Sequence, residues 1–84
     1  MSEARKLTLV SRSYCHLCDD MALALAPLTA EFGVAVEVLD VDADPQLETL
    51  YDQLVPVLLY EGKEVCHYFL DVAKVRALCA GFSD

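Results

Sequence analysis

The segment Val55-Pro56-Val57-Leu58-Leu59-Tyr60 is apolar at every position. Successive side chains of a strand point to opposite faces, so a strand with one wet face alternates apolar and polar residues. This one does not alternate. It needs cover on both faces, which places it in the middle of a sheet with packed layers above and below. A chain of 84 residues has length for one small core, so the rest of the sequence must supply both layers. The reading is a single domain over residues 1–84.

The remaining patterns supply them. Lys6 to Ser11 (K-L-T-L-V-S) is a short apolar run with β-branched residues, read as a first strand. Leu17, Met21, Leu25, Leu28 and Phe32 then recur at helical spacing, with a kink expected at Pro27 and a stop at Gly33. Val34 to Val41 reads as a second strand. Asp44-Pro45 is an N-cap followed by a first-turn proline, opening a short helix with Leu47, Leu50, Tyr51 and Leu54 on one stripe. After the Val55–Tyr60 strand, Glu61-Gly62-Lys63 spells a tight turn, and Glu64 to Phe69 returns as a hairpin partner. Asp71 caps a last helix carrying Val72, Val75, Leu78, Cys79 and Phe82, with Gly81 at its end. The order is β-α-β-α-β-β-α, an α/β fold with a four-stranded mixed sheet and helices on both faces. Its first strand–helix–strand unit is parallel and right-handed.

Chemistry concentrates at Ser11-Arg12-Ser13-Tyr14-Cys15-His16-Leu17-Cys18-Asp19-Asp20. Cys15 falls where the first strand gives way to the first helix. Unpaired amide N–H groups and the positive end of the helix dipole favour an anion there, so the thiolate is favoured and Cys15 is placed as a nucleophile. Cys18 is one helical step of three residues further on, which brings the Cα atoms roughly 5 Å apart, within disulfide range. Arg12, and His16 when protonated, support the thiolate; Asp19 and Asp20 oppose it.

Other readings of the same cysteines stay open. Two packed thiols are one. A zinc site is another, with His16, Cys66 and His67 as further ligands, although structural zinc sites usually present two closely spaced ligand pairs. A bridging iron–sulfur cluster meets the same shortage of ligands. Cys66 is either a third redox thiol or a half-buried strand residue, and Cys79 continues an apolar stripe as a core residue. Asp40, Asp42 and Asp44 are read as strand-end and capping acids rather than a cation site.

Net charge is −8, from fourteen acids and six scattered bases. That balance disfavours nucleic acid and anionic membrane surfaces. No apolar run approaches the ~18 residues of a membrane span, and the N-terminal apolar stretch is shorter than a signal peptide requires. The expectation is a cytoplasmic monomer in which four cysteines are not a secreted disulfide scaffold.

R-S-Y-C-H-L-C, the strand–C-x-x-C–helix junction, L-V-P at 54–56 and E-G-K-E at 61–64 together resemble the glutaredoxin family of the thioredoxin fold. C-H-L-C-D is similar to a group of short bacterial glutaredoxin-like proteins. The resemblance spans nearly the whole chain. It implies a thiol–disulfide oxidoreductase with Cys15 as nucleophile and Cys18 as resolving thiol, reducing protein or glutathione mixed disulfides without a bound cofactor. It further implies a cis bond before Pro56, the Val55 backbone pairing with substrate, and Arg12 receiving a substrate carboxylate. Tyr14, His16 and Leu17 then border the substrate. Two departures leave both glutathione, as co-substrate, and a thioredoxin-reductase-type partner open as the reductant. Leu17 stands where an aromatic residue is usual, and Cys66-His67-Tyr68-Phe69-Leu70-Asp71 replaces the G-G-x-x-D pocket. The alternative is a non-enzymatic module of the same fold that binds a metal or a protein partner.

Overall fold

The computed structural model describes residues 6–81. Its elements run β1 (Lys6–Ser11), α1 (His16–Phe32), β2 (Ala35–Asp40), a 3-10 turn (Val41–Ala43), α2 (Pro45–Tyr51), β3 (Val57–Tyr60), β4 (Lys63–His67) and α3 (Val72–Ala80). The strands form one sheet in the order β2-β1-β3-β4. β1 pairs with β2 in parallel, from Lys6 beside Ala35 to Ser11 beside Asp40. It pairs with β3 in antiparallel, Val10 beside Val57, and β3 pairs with β4 as a hairpin with an irregularity between Leu58 and Leu59.

β3 therefore has a strand on each side and a helical layer on each face, as its unbroken apolar run requires. Leu58 points into the larger cluster, with Leu7, Leu9 and Val65 from the sheet, Met21, Leu25 and Leu28 from α1, and Val75 and Cys79 from α3. Val57 and Leu59 point the opposite way, against Val10, Val41 and the α2 side chains Leu47 and Tyr51, with Leu54 and Val55. Burying each large aliphatic side chain contributes about 1.5–3 kcal/mol, so both layers are needed to hold so short a sheet.

Caps set the helix ends. Gly33 closes α1 at φ 66° and donates its N–H to the Thr29 carbonyl. Asp44 accepts the Gln46 N–H at 2.8 Å and Asp71 accepts the Lys74 N–H at 3.0 Å. Pro27 does not break α1, which continues through it as one helix. The residue whose carbonyl loses its partner, Leu23, lies on the solvent side, where water can serve instead.

Several boundaries and faces differ from the sequence reading. Val34 and Val41 are buried but lie outside β2, whose own Val36 and Val38 are exposed because β2 is an edge strand. β3 begins at Val57 rather than Val55. β4 ends at His67 because Tyr68 takes a positive φ of 65°. α2 stops at Tyr51, and Leu50 is 62% exposed. Leu47 and Tyr51 define the contact side of that short helix, and Leu50 lies roughly 80° around it at ~100° per residue. Val72 likewise faces out at the start of α3. Phe82 lies outside the described residues. No helix among them is long and apolar enough to cross a membrane.

Candidate active site

The parallel pairing of β1 with β2 and the antiparallel pairing with β3 bring four chain segments to one end of the sheet. These are the residues after Ser11, those after Asp40, those before Val57 and those after His67. Every residue that the sequence analysis assigned to the dithiol site lies in the first or third of these segments.

Tyr14 turns the chain from strand to helix with φ 58°, a left-handed conformation that costs a non-glycine residue of order 1 kcal/mol. Its side chain is fully exposed. Cys15 follows in an extended conformation and is the N-cap of α1. Its Sγ accepts the Cys18 N–H at 3.1 Å, and its carbonyl accepts the Asp19 N–H at 3.1 Å. One of the orphan first-turn donors is thus satisfied by sulfur, at the positive end of a 17-residue helix. The Cys15 and Cys18 sulfurs stand at disulfide distance with their Cα atoms 5.2 Å apart. Cys15 is half-buried, whereas Cys18 is 3% exposed. An incoming sulfur therefore meets Cys15 first. His16 is exposed and Leu17 half-buried on the same turn.

Arg12 does something the sequence did not foretell. Its Nε and Nη2 donate to the two carboxylate oxygens of Asp42, each at 3.0 Å. Nη2 also donates to the Asp52 carboxylate, and Nη1 to the Asp52 carbonyl at 3.4 Å. The hydrogen bonds to Asp42 and then Asp52 push the guanidinium pKa further up. The fork expected to greet a substrate carboxylate already holds two of the protein's own. In doing so it ties the loop before Cys15 to the 3-10 turn and to the segment leading into Val55-Pro56. Asp42 was read as a strand-end acid. Asp52 was not singled out at all, and nothing local marks an acid at the end of a short helix as the partner of an arginine forty positions earlier.

The Val55–Pro56 peptide is cis. Pro56 is buried and its carbonyl accepts the Tyr68 N–H at 2.9 Å, while the Tyr68 hydroxyl donates to the Gln53 carbonyl at 2.8 Å. Tyr68 thereby staples the segment after β4 to the proline loop from two directions, a role the sequence did not reveal. Val55 is half-buried.

Cys66 is half-buried against the larger core cluster. Burial pushes its thiol pKa up, partly offset by a backbone N–H from Asp71. Burial also raises the Cys79 thiol, which is 1% exposed in the core as its stripe predicts. His67 Nδ1 meets Glu64 Oε2 at 2.5 Å. His16, Cys66 and His67 do not gather with the dithiol into a three-ligand set. Among the described residues the one such grouping is Asp42, Glu48 and Asp52, and Arg12 already occupies two of its members.

Comparison with known proteins agrees with this geometry. Residues 6–79 match the family model described as "Glutaredoxin-like domain (DUF836)". Proteins described as uncharacterized from Mycobacterium bovis and Mycobacterium tuberculosis are 30% identical over 77 residues, covering 86% of this chain and 79% of theirs. The solution structure of a protein from Nitrosomonas europaea superposes with a TM-score of 0.82 at 40% identity, covering 93% of this chain and 94% of that one. An X. campestris protein gives 0.68 at 37% identity, with 89% and 96% covered. Thioredoxin 1 of Thermosipho africanus, at 18% identity and a TM-score of 0.63 over 92% of both chains, shares the fold. With a four-stranded mixed sheet, helices on both faces and a C-x-x-C pair capping the first helix, the chain belongs to the glutaredoxin-like domain family of the thioredoxin fold.

Proposed function

We propose that the protein is a dithiol thiol–disulfide oxidoreductase. The observation that carries the reading is the asymmetry of the pair. The Sγ of Cys15 is the helix cap, accepts the Cys18 N–H and is reachable, while Cys18 is buried behind it. The Cys15 thiolate attacks one sulfur of a substrate disulfide; that bond breaks, and the departing sulfur leaves as a thiolate and takes up a proton. Cys18 then loses its proton and attacks Cys15 Sγ, the mixed disulfide breaks, and the second substrate thiol departs. Two electrons have passed from the dithiol to the substrate. A second thiol donor, either glutathione or a dithiol protein, restores the reduced pair, so no bound cofactor takes part.

Val55 fits a substrate-aligning role. Among the described residues neither its N–H nor its carbonyl has a protein partner, so an extended substrate segment can pair with it in β fashion. Tyr14, His16 and Leu17 border the same opening. Arg12 acts in this reading as a positioning residue between the two loops. We place the reaction in the cytoplasm, in a monomer acting on protein or small-molecule disulfides.

The test uses pre-reduced protein and a neutral disulfide, bis(2-hydroxyethyl) disulfide, in stoichiometric amounts. Wild type should convert it to 2-mercaptoethanol with loss of two protein thiols per disulfide. Cys15→Ser should be inert. Conversion by Cys15→Ser at the wild-type rate would remove Cys15 from the mechanism.

A further inference from the structure

We propose that this dithiol selects disulfides carried on basic polypeptide segments and discriminates against anionic disulfides such as oxidised glutathione. The inference rests on the thiol–disulfide reading above and names the substrate class of that same site.

Charge carries the first half of the argument. Arg12 is the lysine or arginine nearest the dithiol in sequence, and its fork is engaged by Asp42 and Asp52. Glu48 lies in the same acidic grouping, and the exposed Asp19 and Asp20 follow Cys18 directly in α1, Asp19 within its first turn. Around Arg12 and the start of α1, five carboxylates thus stand against one guanidinium. The other described bases are directed elsewhere. Lys6 pairs with Glu37 at the far end of β1, Arg76 pairs with Glu31, and Lys63 and Lys74 line a groove with Tyr60 and Glu64 along the β4 edge. Among the described residues an anionic disulfide finds no lysine or arginine free of a carboxylate beside the dithiol, and the field of the surrounding acids opposes its approach, which shifts association rates by about 10-fold or more at low ionic strength. A basic segment is drawn in by the same field.

Exposed aromatic groups carry the second half. Tyr14 is fully exposed beside Cys15, and Phe69 is 70% exposed in the segment that Tyr68 staples to the proline loop. Aromatic faces offer apolar contact together with cation–π attraction for Lys and Arg. The unpaired Val55 backbone adds main-chain pairing that a polypeptide satisfies at greater length than a tripeptide.

The experiment compares three peptides of one length, each closed by one disulfide and flanked by lysine, glutamine or glutamate, together with oxidised glutathione. Single-turnover rates with pre-reduced protein are divided by the rate of 2-mercaptoethanol on the same disulfide, which removes intrinsic reactivity. The lysine peptide should exceed the glutamate peptide and glutathione by about tenfold at low salt, and the ratio should collapse near 0.5 M salt. Asp19→Asn with Asp20→Asn should narrow that ratio. Equal normalised rates for the lysine, glutamate and glutathione disulfides would overturn the inference alone. Failure to reduce even the glutamine peptide would overturn the oxidoreductase reading, and the inference with it.

Discussion

Replacing Cys15 by alanine removes two things at once, the nucleophile and the acceptor that caps α1. Serine removes the nucleophile but keeps an acceptor in the same place. The difference between the two variants isolates the cap. In the structure the Cys18 N–H has Cys15 Sγ as its partner at 3.1 Å. With alanine, that first-turn donor loses its protein partner. Loss of an N-cap acceptor costs about 1 kcal/mol. For a domain of this size that corresponds to a fall in Tm of about 4–8 °C, or to a urea midpoint lower by about 1 M at a slope near 1 kcal/mol/M. Urea titrations of both variants, followed by far-ultraviolet circular dichroism under reducing conditions, measure it directly. Cys15→Ser should unfold at the higher midpoint. Coincident midpoints would refute the claim that the Cys15 side chain caps α1, and with it the physical basis for a favoured thiolate.

The other expected outcomes concern the core and the remaining thiols. Leu58, fully buried in the central strand, should lose about 3 kcal/mol of stability on replacement by alanine, a large part of what so small a domain possesses; a loss below about 1 kcal/mol would contradict the two-layer packing of β3. In the reduced, folded protein iodoacetamide should label Cys15 first, Cys66 slowly and Cys79 only on unfolding, read by mass spectrometry; early labelling of Cys79 would place it outside the core. Because burial raises the Cys66 and Cys79 thiols, the native state holds those protons more tightly than the unfolded chain. Their contribution to stability is present below the ordinary thiol pKa of about 8.5 and is lost as pH rises above it. The fall in urea midpoint between about pH 8 and pH 10 should be smaller in Cys79→Ala than in wild type.

Local rules made much of this protein legible from its sequence. The absence of alternation in Val57-Leu58-Leu59 located the central strand. Asp44, Asp71 and Gly33 marked helix ends, and Cys15 declared itself by standing at one. Each inference needed only neighbours within a turn or a strand. What escaped depends on contacts across the chain. The clamp of Arg12 on Asp42 and Asp52 spans thirty and forty positions and turns an expected substrate receptor into a brace. Valine content identified β2 as a strand but not as the edge of the sheet, which is why Val36 and Val38 face solvent. Leu50 satisfied a helical stripe that a seven-residue helix is too short to bury whole. Tyr68 ended β4 early through a positive φ that a tyrosine seldom adopts and that no residue pattern announces.

The central claim is that Cys15 attacks and Cys18 resolves, and intermediate trapping tests it most directly. Cys18→Ser, incubated with a disulfide-bonded peptide and analysed by intact-mass spectrometry without reductant, should accumulate a one-to-one adduct joined through Cys15, while Cys15→Ser should accumulate none. An adduct held by Cys18 in the Cys15→Ser variant, with none in Cys18→Ser, would reverse the assigned roles and contradict the account.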